Sequence, residues 1–308
     1  MDAELEPFLP FFPRGELTDP VGERESLALL ARSVPAPDVP ALEVEDHTVP
    51  AGPGVPVRVY RPVPASGAIV WLHGGAFVMG DVETEHPWAT FLADASGAVV
   101  ISVGYRLAPE DPYPAALDDA SAVLGWAVEN ASVLGFAPAR IAVGGHSAGG
   151  GIAAALALRA RDRQGPAIRF QLLNQPALDD RQETWSQRAF TDTPWMTRAK
   201  VGASWRYYLG SREATEYAAP ARAGDLSGLP PAYVATAELC PNRDEDVDYA
   251  LRLLRSGVSV ELHQWPGTFH GSQAILSAEV SQRQLAELGA APGESLGAPC
   301  ARSVTDGE

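Results

Sequence analysis

Apolar positions along this chain come in two alternating rhythms. Short, mostly apolar runs at 68–72, 98–103, 140–144 and 168–174 have the length and content of strands buried on both faces. Between them, 114–134 and 150–163 space their apolar residues as helices do. Upstream, 42–49 and 55–61 alternate apolar with polar and are broken by Ala51-Gly52-Pro53-Gly54, which predicts a hairpin. Downstream the rhythm resumes with a strand at 232–237, a helix at 244–255, a strand at 258–265 and a helix at 273–288. The pattern predicts an α/β fold with a mostly parallel, eight-stranded sheet flanked by helices on both faces.

Two stretches do not keep this rhythm. Residues 1–40 mix Leu5, Phe8, Leu9, Phe11 and Phe12 with prolines and then read as a helix from Asp19 to Ser33. Residues 180–215 are rich in Trp and Tyr. Both are expected to cover the sheet. The chain then divides into an N-terminal cap segment (1–40), a core (41–179 and 216–290), a cap insertion (180–215) and a Gly-, Ala- and Pro-rich flexible tail (291–308).

Composition narrows the field. The formal net charge of -16 argues against a nucleic-acid partner, which needs clustered Lys and Arg. No apolar run approaches the roughly 18 residues of a membrane span. The two cysteines, Cys240 and Cys300, make neither a disulfide framework nor a zinc site. The first twelve residues lack a charged-then-apolar leader pattern, so a cytoplasmic location is expected.

The candidate chemistry begins at Gly145-His146-Ser147-Ala148-Gly149, which joins a strand signal to a helix signal with a serine at the apex. That is the layout of a nucleophile elbow. A serine hydroxyl needs a base, and only His263 and His270 follow it. His263 lies inside a strand signal. His270 comes just after it, in Gly267-Thr268-Phe269-His270-Gly271, and is the expected base. His73-Gly74-Gly75-Ala76 follows another strand, where bare backbone N–H groups of Gly74 and Gly75, with that of Ala148, can face an oxyanion.

Together with Tyr105-Arg106-Leu107-Ala108-Pro109-Glu110 and Tyr113-Pro114-Ala115-Ala116-Leu117-Asp118-Asp119, these motifs make the chain resemble the hormone-sensitive-lipase-like family of α/β-hydrolase carboxylesterases. The resemblance implies an α/β-hydrolase fold with a helical cap and hydrolysis of short-chain or aryl esters through an acyl-enzyme. It implies no metal or organic cofactor, and a small-molecule ester as the partner. It places the nucleophile at Ser147, the base at His270 and the oxyanion donors at Gly74, Gly75 and Ala148. Arg106 and Glu110 are expected as a buried polar scaffold near the oxyanion loop, and His146 as a residue shaping the elbow. An edge strand and a terminal helix offer surfaces for a homodimer.

The sequence departs from the family at one point. Family members carry an Asp-Pro-Leu-x-Asp-Glu type motif after the cap, with the first Asp orienting the histidine. Here the stretch reads Cys240-Pro241-Asn242-Arg243-Asp244-Glu245. Asp244, folded back by the Pro241-Asn242 turn, is the preferred replacement acid, ahead of Glu245 and Asp246. Two other readings stay open: a Ser–His dyad steadied by a carbonyl or water, and a ligand-binding relative with little turnover. The motifs do not separate an esterase from an amidase or a natural-product ester hydrolase.

Overall fold

The computed structural model describes residues 1–12, 16–32 and 34–297. Its centre is one eight-stranded sheet: β1 (Glu43–Val49), β2 (Val55–Arg61), β3 (Ala68–Leu72), β4 (Val99–Val103), β5 (Ile141–His146), β6 (Phe170–Asn174), β7 (Ala232–Leu239) and β8 (Val260–Phe269). The order is β1-β2-β4-β3-β5-β6-β7-β8. β1 and β2 form the antiparallel hairpin, β2 meets β4 antiparallel, and every later pairing is parallel.

The ten helices of the described residues are α1 (Pro20–Ala31), α2 (His86–Ser96), α3 (Ala115–Glu129), α4 (Ala131–Leu134), α5 (Ala148–Asp162), α6 (Trp185–Ala189), α7 (Arg198–Leu209), α8 (Arg243–Arg255), α9 (Glu279–Ala290) and α10 (Gly293–Leu296). Successive strand residues point to opposite faces. Ala68, Val70 and Leu72 join one core with residues of α3, α5 and α8, while Ile69 and Trp71 join a second with residues of α2 and α9.

The sequence reading missed α2, although Pro87 in its first turn and the left-handed Gly97 that ends it are helix punctuation. The helix read at 114–134 is two, α3 and α4, meeting at Asn130. β8 runs past Trp265 to Phe269, through Pro266, with a register shift against β7. The predicted helix at 273–288 begins later, at Glu279, after a 3-10 turn at Ser272–Ala274. The tail expected at 291–308 is structured at its start. α10 covers Gly293–Leu296, and Leu296 is buried in the second core. Its remainder, 298–308, and the Ser33 end expected for the first helix lie outside the described residues.

The two covering segments meet over the carboxyl ends of the strands. Phe12 packs edge-on against both Trp195 (5.8 Å between ring centroids) and Phe269 (5.0 Å). α1 is tied to the core through Arg24, which donates to the carbonyls of Val78 and Ala108 and pairs with Glu110 at 2.7 Å. α7 lays Tyr208 flat on Phe77, 4.0 Å between centroids.

Candidate active site

Ser147 sits alone between the last residue of β5 and the first of α5. Its backbone is left-handed, at φ 55° and ψ -118°. Such a conformation costs a non-glycine residue about 1–3 kcal/mol and persists only where the surroundings over-determine it. They do so here. Ser147 N–H donates to the Asn174 carbonyl at 2.9 Å, and the Ser147 carbonyl accepts from Gly151 and Ala177. Gly149 is glycine by necessity, because a Cβ there would run into the carbonyls of Leu72 and His73. The turn thus presses against the end of β3, which brings the loop of Gly74 and Gly75 to the serine.

That loop is built for close approach. Gly75 has φ 125°, and its carbonyl accepts from Val78 and Met79 N–H. A Cβ at Gly74 would stand 3.6 Å from that of Ser147. Behind the loop, the Tyr105 hydroxyl donates to the His73 carbonyl at 2.7 Å, and the two rings stack with centroids 4.1 Å apart. Burial holds His73 near pKa 4, hence neutral. Ala148 opens α5, where N–H groups have no partner within the helix. Among the described residues, nothing accepts a hydrogen bond from the N–H groups of Gly74, Gly75 or Ala148.

His270 follows β8 directly, and its Nε2 lies 2.8 Å from Ser147 Oγ. Both side chains are buried. The histidine loop is held by two glutamines that the sequence reading did not single out. Gly271 N–H donates to Gln175 Oε1 at 3.0 Å, and Gln175 donates onward to Gln273. Gln273 reaches the His146 ring at 3.2 Å, which anchors the elbow's second residue to the same loop. Only the fold brings these polar amides together; no local pattern announces them.

The Nδ1 side of His270 faces Cys240 Sγ at 3.2 Å. Burial pushes the Cys240 thiol well above its ordinary range, with Asp246 adding to the effect, so it is neutral. Burial also pulls His270 well below its ordinary value, helped by the neighbouring His146 ring. The imidazole is a neutral base at pH 7.

Asp244 does not fold back to the histidine, contrary to expectation. α8 starts at Arg243, so Asp244 sits in a helical first turn and points at α6. Its Oδ2 accepts from Ser186 N–H at 2.8 Å and its Oδ1 from Arg243 at 2.8 Å. It therefore satisfies a free N–H at the start of a cap helix. Glu245 accepts from Leu178 and Asp179 N–H, and burial raises it to about 8. Asp246 is wholly buried, and burial raises it well above its ordinary value. None of the three hydrogen-bonds His270. Glu110 is corrected too: it is exposed and pairs with Arg24, while Arg106 is partly exposed and grips the buried Asp119. The loop of Gly74 and Gly75 is braced by Tyr105 and His73 instead.

Above Ser147 opens a cavity of about 520 Å³. His270, Gly74 and Gly75 line its floor, and its walls are largely apolar: Phe12 and Leu27 from the N-terminal segment, Trp195 and Met196 from the insertion, Trp88 from α2.

Known proteins resemble this chain in sequence and fold. A family profile described as alpha/beta hydrolase fold matches residues 69–274. Carboxylesterase NlhH of Mycobacterium tuberculosis is 41% identical over 266 residues, covering 81% of this chain and 83% of its own. An arylesterase of Saccharolobus solfataricus is 33% identical over 272 residues, covering 83% and 84%. A solved bacterial heroin esterase superposes with a TM-score of 0.92 at 41% identity, covering 96% of this chain and 98% of its own. The chain belongs to the α/β-hydrolase fold family, within its hormone-sensitive-lipase-like carboxylesterases.

Proposed function

We propose that this protein hydrolyses short-chain or aryl carboxylic esters, with Ser147 as nucleophile and His270 as base. The observation that carries the reading is the 2.8 Å contact between Ser147 Oγ and His270 Nε2 on the floor of an apolar cavity. With Nε2 accepting the serine proton, Nδ1 keeps the ring hydrogen and directs it at Cys240 Sγ, a weak acceptor. Ser147 Oγ attacks the ester carbonyl, and its proton passes to Nε2. The oxyanion is held by the N–H groups of Gly74, Gly75 and Ala148. His270 then protonates the departing alcohol, and water repeats the sequence on the acyl-serine.

Sulfur in place of a carboxylate favours esters over amides. A neutral thiol does little to stabilise the imidazolium that must form, and an amide nitrogen needs that proton more than an alkoxide does. A homodimer through an edge strand and a terminal helix, and a cytoplasmic location, complete the proposal. Among the described residues, no helix is long and apolar enough to cross a membrane.

The test is hydrolysis of p-nitrophenyl acetate and butyrate, with fluorophosphonate labelling. Ser147→Ala and His270→Ala should each lose about three orders of magnitude or more in kcat, and Ser147→Ala should take no label. A wild-type protein that neither turns over these esters nor accepts the label overturns the reading.

A further inference from the structure

Glu85 is a buried acid in the cavity wall that ester hydrolysis at Ser147 does not use. It is 7% exposed and lines the same cavity as Ser147 and His270. Its Oε1 accepts from the Trp71 indole N–H at 2.6 Å. Among the described residues, nothing donates to its Oε2. Its position is fixed by the chain itself. Asp81 and Thr84 exchange hydrogen bonds, Glu85 N–H donates to the Asp81 carbonyl, and the Glu85 carbonyl starts α2 by accepting from Trp88 and Ala89.

A buried carboxyl with one occupied oxygen is costly unless something cationic or hydrogen-bonding faces the other. Among the described residues, Trp71 alone donates to it, and no Arg or Lys pairs with it. The surrounding surface has the complementary chemistry. Glu85, Trp88, Phe91 and Leu92 recur at helical spacing and all line the cavity, so the acid is continued by an aromatic wall. The chain's charge of -16 also favours cations near the opening. Lys200, the chain's one lysine, lines the cavity too, where the charge of Glu23 acts on it.

We propose that Glu85 and the aromatic face of α2 form a subsite for an alkylammonium group, so that this esterase selects esters carrying a protonated amine. Carboxylate and indole faces together are what such a cation binds: a charge partner on one side and ring quadrupoles on the others. This deepens the esterase reading and rests on the same cavity.

Binding is measured by calorimetry at pH 8 on wild type and Glu85→Gln, with N,N-dimethylbenzylammonium as the probe and N,N-dimethylbenzamide as a neutral ligand of matched size. Wild type should bind the cation about tenfold or more tightly than the amide. Glu85→Gln keeps an acceptor for Trp71, and should bring the two affinities to within about threefold of each other. Equal affinities in wild type, or a cation preference that survives in Glu85→Gln, overturn the proposal. Fluorophosphonate labelling of the variant reports a folded site, and the wild-type comparison stands even if that variant does not fold. Because calorimetry needs no turnover, a failed subsite and a failed esterase reading give different results.

Discussion

At Nδ1 of His270 the chain presents the Cys240 sulfur at 3.2 Å, and among the described residues no carboxylate reaches the ring. The thiol is neutral and buried, so an imidazolium at His270 would lack a counter-charge in contact with it. Replacing the acid by a neutral group costs about four orders of magnitude in the serine-protease template. Cys240→Asp should therefore raise kcat, by about tenfold to a thousandfold. The sign of the accompanying pH effect follows from charge. Burial lowers His270 in wild type, so its low-pH limb of kcat/KM should lie well below 6.5; a carboxylate favours the protonated ring and should move that limb to higher pH. A profile left in place by the substitution would mean that position 240 does not govern His270. Asp244 predicts the opposite pattern. Asp244→Asn should change kcat by less than about threefold and lower stability by about 1 kcal/mol through the lost charge at Ser186 N–H and Arg243, read by urea unfolding.

α1 is tied to the loops after β3 and β4 through Arg24, which meets two carbonyls and Glu110, while its Leu27 packs against the main core. Arg24→Ala should loosen α1, whose Leu27 and Leu30 line the cavity. The expected outcome is a several-fold rise in KM for aryl and longer acyl esters, with acetate turnover nearly unchanged, measured by steady-state kinetics across acyl length. The elbow is the opposite case, because its packing leaves no slack. Gly149→Ala would force a methyl into the Leu72 and His73 carbonyls, so the end of β3 or the start of α5 must shift. It should lower kcat by about a hundredfold or more in protein that remains folded by circular dichroism.

For the whole molecule, buried titratable groups set the pH dependence of stability. Glu85 (about 7), Glu245 (about 8) and Asp246 (well above its ordinary 3.8) keep protons in the folded state that the unfolded chain releases. Their contribution is complete below about pH 4 and is lost as pH rises through the folded values. His73 and His146 (each about 4) and the depressed His270 act in reverse: unfolding takes up protons between about 4 and 6.5, so stability grows across that window. The two sets oppose each other up to about 6.5, and only the acids remain between 6.5 and 8. The melting temperature should fall over that upper interval, and Glu245→Gln should flatten the fall; a melting temperature still rising from pH 6.5 to 8 would contradict this assignment. The sequence by itself determined the strand-and-helix alternation, the elbow at Ser147, the glycine loop at 74–75 and the place of His270, because each is a local pattern of period, turn and apex. The partner of Nδ1, the seat of Asp244, the Gln175–Gln273 brace and the exposure of Glu110 were decided only by tertiary structure. Each is a choice among several side chains of the right chemistry, and only the packing of β7, α6 and α8 fixes which of them reaches the ring.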